Sequence, residues 1–272
     1  MTHLVFINSF DRSGSSAIVN ALKTVPHFTI FMQPFNSSGV RKKMYAIWDD
    51  STPDEADKRC FESLAKFEMP IDYFASSWHE KFSSSQSFVP GNVHVLKTTI
   101  NHFLVPWTKT KYPNILQYAI WRDPLDILAS IIRNNVYEKS YAGAVAEILP
   151  AIESNNFLRK CFIRYVQFLD SDNKKAAFLI AVRNSFLLSH VDADKLIDYE
   201  LFKTSPSKAL SYFVNQFSDA EIDIDFVRNQ DLSVWGHPYS PGESHRQLID
   251  NSTLEFCQDV FHTLYSMRAK FS

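Results

Sequence analysis

Residues 4–23 read Leu4-Val-Phe-Ile-Asn8-Ser-Phe-Asp-Arg12-Ser13-Gly14-Ser15-Ser16-Ala-Ile-Val-Asn-Ala-Leu-Lys23. The opening run Leu4–Asn8 is short, apolar and rich in β-branched and aromatic side chains, the pattern of a buried strand. From Ser16 to Lys23 the apolar positions Ile18, Val19, Ala21 and Leu22 take helical spacing. Between the two lies a turn in which Gly14 allows a tight reversal and a close ligand approach. Ser15 and Ser16 offer hydroxyls and read as caps of the helix that follows. A helix N-terminus presents unpaired N–H groups and a partial positive charge, and Arg12 adds a full charge with forked donors. The stretch therefore predicts strand, anion-binding loop and helix in succession, a cradle for phosphate or sulfate. It is not a Walker A loop, because GxxxxGK[ST] and its lysine are missing, which weighs against an ATPase or kinase.

The same alternation continues along the chain. Val93–Lys97, Ile115–Trp121 and Lys195–Tyr199 also read as buried strands. Pro124–Arg133 and Pro206–Phe217 carry helical spacing behind two of them. Strand followed by helix, repeated, predicts an α/β three-layer sandwich with a central parallel sheet, in one domain over residues 1–272. Ligands of such sheets sit at the carboxyl ends of the strands, so the loops there are where chemistry belongs. Asp49–Asp57 reads as a surface connection and Ser83–Gly91 as a loop. Tyr137–Ala193 reads as largely helical, and a last helix is expected over Thr253–Met267.

Composition sets limits. The chain has 272 residues, 45% hydrophobic and 21% charged, with a formal net charge of -2. That balance argues against a general nucleic-acid binder, which would be basic overall. Cys60, Cys161 and Cys257 are odd in number and widely spaced, so they form neither a disulfide framework nor a metal cluster. Reduced thiols, no apolar run able to cross a membrane and no basic leader before His3 point to a cytoplasmic protein. The nine histidines lack metal-ligand spacing, and no metal is expected.

A second motif is Ile120-Trp-Arg122-Asp123-Pro124-Leu-Asp126-Ile-Leu-Ala-Ser130. Arg122 closes a strand, Asp123 can cap, and Pro124 suits the first turn of a helix. Ser130 lies two turns further on, reaching back toward the loop. An arginine with a hydroxyl suits a terminal phosphate.

Taken together, Arg-Ser-Gly-Ser-Ser after the first strand and Arg-Asp-Pro with a serine eight residues beyond the arginine resemble the sulfotransferases that use 3′-phosphoadenosine-5′-phosphosulfate (PAPS). The first motif is closest to the carbohydrate or Golgi branch. The resemblance implies a P-loop NTPase-like sulfotransferase fold, PAPS as cosubstrate, its desulfated form PAP as product, and no metal. It implies that Arg12, Ser13, Gly14, Ser15 and Ser16 hold the phosphosulfate, and that Arg122 and Ser130 hold the 3′-phosphate. Val95-Leu-Lys97-Thr-Thr99 resembles the Lys-Thr-His strand end of the cytosolic branch. Phe31-Met-Gln33-Pro34 resembles the Glu-Pro segment of the carbohydrate branch, and Leu196-Ile-Asp-Tyr199-Glu200 its Tyr-Glu-Asp segment. Resemblance is scattered over residues 4–217.

On this reading Arg12 and Lys97 stabilise the transferring group, while Gln33 and Thr99 line the acceptor. Both of these stand where the family carries its base, and neither takes a proton at neutral pH. His102, three residues after Thr99 and so about one helical turn away, is the candidate base. In the turn-rich stretch Trp235–Arg246, Ser244 or Arg246 could reach the 3′-phosphate, although a plain surface loop is the simpler reading. The acceptor is a small molecule, lipid or carbohydrate bearing a hydroxyl or amine. A kinase-like phosphotransferase and a catalytically inactive nucleotide-binding relative are the alternatives.

Overall fold

The computed structural model describes residues 1–35, 39–70, 83, 85, 87–134, 141–218 and 245–271. Among them a five-stranded sheet, parallel throughout, forms the centre: β1 (His3–Asn8), β2 (Phe28–Met32), β3 (Val93–Thr98), β4 (Ile115–Trp121) and β5 (Leu196–Asp198). Their order is β2-β3-β1-β4-β5. β1 is flanked in register by β3 and β4, so that Asn8 stands beside Thr98 on one side and Ala119 on the other. The strands are short runs buried on both faces, as a covered parallel sheet requires.

Alternate residues along β1 feed two cores. Val5 and Ile7 meet Ile18, Ala21 and Leu22 of α1 (Ser15–Leu22), along with Leu210, Phe213 and Val214 of α10 (Pro206–Asn215). Leu4 and Phe6 face the opposite way, toward Phe61 and Leu64 of α3 (Glu55–Ala65) and Trp107 of α4 (Val105–Lys111). Between the strands run α2 (Gly39–Lys42), α5 (Pro124–Asn134), α6 (Tyr141–Ser154), α7 (Asn156–Phe162) and α8 (Asp172–Leu188), and α9 (Tyr199–Thr204) follows β5 directly. The chain closes with α11 (Asn251–Val260) and α12 (His262–Arg268). α8 is buried around nearly its whole circumference, which is how a helix at the centre of a helical cluster reads. No helix among the described residues is long and apolar enough to cross a membrane.

The structure departs from the expected elements in three places. β2, Phe-Thr-Ile-Phe-Met, was not expected as a strand. Asp49–Asp57 is not wholly a connection, since α3 starts at Glu55. Asp54 accepts from the backbone N–H of Ala56 and Asp57, and Asp57 reaches back to the Asp54 N–H. This is a capping box built with aspartate in place of the usual Glu or Gln. The single final helix expected over Thr253–Met267 is two helices that meet at Phe261.

Strand order places the site. The chain leaves β1 toward the β2 edge and leaves β4 toward the β5 edge. The crevice where the connections diverge therefore lies at the carboxyl ends of β1 and β4, the position favoured for ligands in open parallel sheets. Both sequence motifs begin there.

Candidate anion-binding site at the ends of β1 and β4

The loop after β1 is tied down at its root. The buried Asn8 amide donates to Gln117 Oε1 at 2.9 Å and to the Tyr118 carbonyl at 3.1 Å, and the Ser9 N–H donates to the Thr98 carbonyl at 3.0 Å. The turn then passes through two left-handed residues, Arg12 (φ 66°) and Gly14 (φ 82°). A Cβ on Gly14 would lie 2.1 Å from Cε2 of Tyr199, so only glycine lets that ring close over the loop.

Gly14, not a serine, is the N-cap of α1, and no side chain caps the helix. The expectation that Ser15 and Ser16 act as caps is thus corrected: both lie inside the first turn. The physical consequence favours a ligand, because uncapped N–H groups at a helix start with no acidic residue in its first turn stay available to an anion. Ser13 is buried, and its Oγ has no hydrogen-bond partner among the described residues.

The second motif meets the first directly. Arg12 Nε donates to Ser130 Oγ at 3.2 Å, and Arg122 Nη1 donates to the Arg12 carbonyl at 2.6 Å. The Arg122 guanidinium lies 5.1 Å from the Tyr199 ring centroid, and its buried Nε has no partner among the described residues. Arg12 is held below its ordinary pKa, first by burial and then by the neighbouring charge of Arg122, with Arg133 adding to it and Asp11 and Tyr199 opposing. Like charges gathered and partly buried in this way would be relieved by a bound anion. Asp123 accepts from the Leu125 N–H at 2.9 Å and caps α5 as expected.

Arg246, weighed from the sequence as a phosphate ligand, is otherwise engaged. It donates to Asp126 at 2.7 Å and lies 3.2 Å from Asp123, pairs that raise its pKa. Two carboxylates already balance its charge. Ser244 and residues 235–243 lie outside the described residues. Arg133, which the sequence reading passed over, sits one turn beyond Ser130 and contacts His245; the signal was its place one turn from that serine on the same helix.

On the β2–β3 side, Lys97 is 5% exposed and lowered to about 8 by burial, with Asp11 opposing that shift. Gln33 is left-handed at φ 50° and donates from Nε2 to Thr99 Oγ1 at 3.2 Å, while the Thr99 N–H donates to Gln33 Oε1 at 3.3 Å. The two residues are therefore locked together where β2 and β3 end. A side chain in a left-handed backbone persists only where surrounding contacts impose it.

His102 is misplaced for the role expected of it. Residues 99–104 are not helical, so the one-turn relation to Thr99 fails. Its side chain has no exposed surface, and Nδ1 lies 3.1 Å from Arg183 Nη2. Arginine can only donate, so Nδ1 accepts and the ring proton sits on Nε2. Burial and the Arg183 charge hold its pKa well below the ordinary value. A group without access to an acceptor, beside a permanent cation, does not take a proton from it.

The sequence matches no family model and no curated protein. Solved sulfotransferases are similar to this chain along almost its entire length. The sulfotransferase domain from the curacin biosynthetic pathway is 13% identical with a TM-score of 0.46, covering 95% of this chain and 97% of that one. The sulfotransferase from Alicyclobacillus acidocaldarius is 13% identical with a TM-score of 0.45, covering 99% and 98%. The sulfotransferase domain of the Synechococcus PCC 7002 olefin synthase is 12% identical with a TM-score of 0.40, covering 95% and 94%.

Proposed function

We propose that this chain, acting as one domain, is a sulfotransferase that moves a sulfuryl group from PAPS to a hydroxyl or amine of a small-molecule, lipid or carbohydrate acceptor. One observation carries the reading. Arg12, Ser130 and Arg122, remote in sequence, are joined by hydrogen bonds at the β1–β4 crevice, beside an uncapped helix start.

In this reading the first-turn N–H groups of α1, with Ser13, Ser15 and Ser16 around Gly14, hold the 5′-phosphosulfate. Arg122 and Ser130 hold the 3′-phosphate, with Arg133 adding charge one turn away. Arg12 lies between the two groups and touches the 3′ side through Ser130. The acceptor atom attacks sulfur in line, the bond from sulfur to the phosphate oxygen breaks, PAP leaves with that electron pair, and the acceptor's O–H or N–H proton is released to solvent. By analogy with phosphoryl transfer, positioning and charge stabilisation do most of the work. Arg12 and Lys97 stabilise the negative charge that develops on the leaving oxygen. A donor anion beside Lys97 raises its pKa again, so it serves as a cation and not as the base. Gln33 and Thr99 position the acceptor.

The test is calorimetry with PAP and with ATP, followed by transfer of labelled sulfate from PAPS. A nucleotide without a 3′-phosphate leaves Arg122 unused. A lost charged hydrogen bond of roughly 1.5–3 kcal/mol makes PAP tighter than ATP by about 10-fold or more. Equal affinities would remove the sulfotransferase reading.

A further inference from the structure

α12 lies outside both sequence motifs, yet two of its side chains reach the strand ends that carry them. The buried Leu264 packs among Ala119, Trp121, Leu187 and Leu188 and seats the helix against β4. Tyr265 and Arg268 are three residues apart and so share one helical face. Both reach the carboxyl ends of β4 and β5, where Trp121 and Asp198 are register partners. Arg268 meets the two together. Its Nη2 donates to Asp198 Oδ2 at 2.8 Å, and its guanidinium lies 5.8 Å from the Trp121 ring centroid. The Tyr265 ring stands 6.2 Å from that of Trp121, and its hydroxyl donates to Asp123 Oδ1 at 3.2 Å. Burial, and then the Asp123 charge, raise the pKa of this phenol, so it keeps its proton and remains the donor.

These contacts bracket Arg122. Its chain neighbours on both sides, Trp121 and Asp123, are held by α12. The ring it stacks on, Tyr199, directly follows Asp198. Asp198 Oδ1 accepts from the N–H groups of Glu200 and Leu201 at 2.8 and 3.1 Å and so caps α9, while Oδ2 takes the Arg268 bond. One carboxylate thus fixes the helix start at which Tyr199 stands and ties it to α12. Arg122 itself forms no salt bridge among the described residues. Without a carboxylate of its own, it takes its aim from the Arg12 carbonyl, the Tyr199 ring and the backbone around it. Arg268 also balances the charge of Asp198, which would otherwise stand unpaired one residue from a site built for anions.

We propose that Arg268, with Tyr265 beside it, is a positioning residue that fixes Arg122 against Tyr199 and so sets the preference for a nucleotide bearing a 3′-phosphate. The assignment rests on the sulfotransferase reading for the group that Arg122 receives. In this role neither side chain needs to touch the nucleotide. They act through Trp121, Asp123 and Asp198, as the support that keeps a binding group within a fraction of an ångström of its working geometry.

PAP and adenosine 5′-phosphate (AMP) differ by the 3′-phosphate alone, so the ratio of their affinities reads Arg122. Both are titrated by calorimetry into the unaltered protein and its variants, at a temperature where circular dichroism shows each one folded. In Arg268→Gln, PAP weakens about tenfold and AMP about twofold or less, so the ratio falls about fivefold or more. Arg268→Lys keeps a charge for Asp198 but loses the fork, and recovers part of the ratio. Asp198→Asn keeps an N-cap for α9 without the ion pair, and lowers the ratio as Arg268→Gln does. Combining these two costs no more than either alone, because both break the same contact. Tyr265→Phe removes only the hydroxyl on Asp123 and lowers the ratio about twofold or more. It carries the test if the Arg268 variants do not fold. A residue that merely steadied the fold would lower the melting temperature and leave the ratio alone. A ratio unchanged in Arg268→Gln or, where that variant does not fold, in Tyr265→Phe overturns the assignment, as do losses that add in the double variant. PAP that fails to bind the unaltered protein, or binds it no better than AMP, strikes the donor reading, and this assignment with it.

Discussion

Replacing Lys97 by methionine should make the protein more stable and inactive at once. Lys97 is 5% exposed, and burial lowers its pKa from 10.5 to about 8. That difference, at 1.36 kcal/mol per tenfold change in proton affinity, amounts to about 3 kcal/mol spent in the folded state on keeping the ammonium charged near pH 7. Because the folded pKa lies below the unfolded one, the unfolded chain holds the extra proton between about pH 8 and 10.5. The cost is therefore full below about pH 8 and gone above 10.5, and stability rises with pH inside that window. Methionine fills a similar volume without the charge. At pH 7, Lys97→Met should melt about 5 °C or more above the parent, given roughly 2–4 °C per kcal/mol for a chain of this size. The gain should shrink as pH approaches 10. Binding of an anionic nucleotide draws the Lys97 proton back, so PAP affinity in the parent should fall several-fold from about pH 7 to pH 9 and stay flat in Lys97→Met. Paired melting curves and calorimetry across that range provide the measurement. A variant less stable than the parent at pH 7, with PAP binding as pH-dependent as before, would refute the placement of a strained cation at the site.

Other outcomes follow from single contacts. Gly14→Ala places a Cβ 2.1 Å from Tyr199 in a left-handed backbone. A cost of about 2–4 kcal/mol is expected in denaturant melts, part of it recovered by Tyr199→Ala in the same chain. Arg122→Ala removes the donor to the Arg12 carbonyl and the stack on Tyr199. It should weaken PAP by about 10- to 100-fold in calorimetry, with circular dichroism unchanged. Arg246→Ala, by contrast, breaks only the partly exposed pairs with Asp123 and Asp126. It should cost about 1 kcal/mol or less and leave PAP affinity within about twofold in calorimetry; a loss of about tenfold would make Arg246 a phosphate ligand.

The sequence by itself determined what is local. The passage from β1 through Gly14 into α1 was legible because strand period, turn residue and helix period follow one another within twenty residues. The same holds for Arg122-Asp-Pro and α5, and for four of the five strands. A parallel sheet with ligands at its carboxyl ends follows from that alternation alone. β2 was not read as a strand, although at five residues it is no shorter than Leu4–Asn8, and α3 was missed because its capping box uses Asp57 where a longer acid is usual. What the fold alone decided are relations between residues far apart in the chain. That Gly14 must be glycine depends on Tyr199, 185 residues later. Arg12 and Ser130 touch because β1 and β4 are neighbours. Nothing near His102 in sequence foretells Arg183, whose contact settles where the imidazole proton sits and turns a supposed base into a donor. Protonation is set by burial and by neighbouring charge, and both are properties of packing in three dimensions, which a linear pattern does not carry.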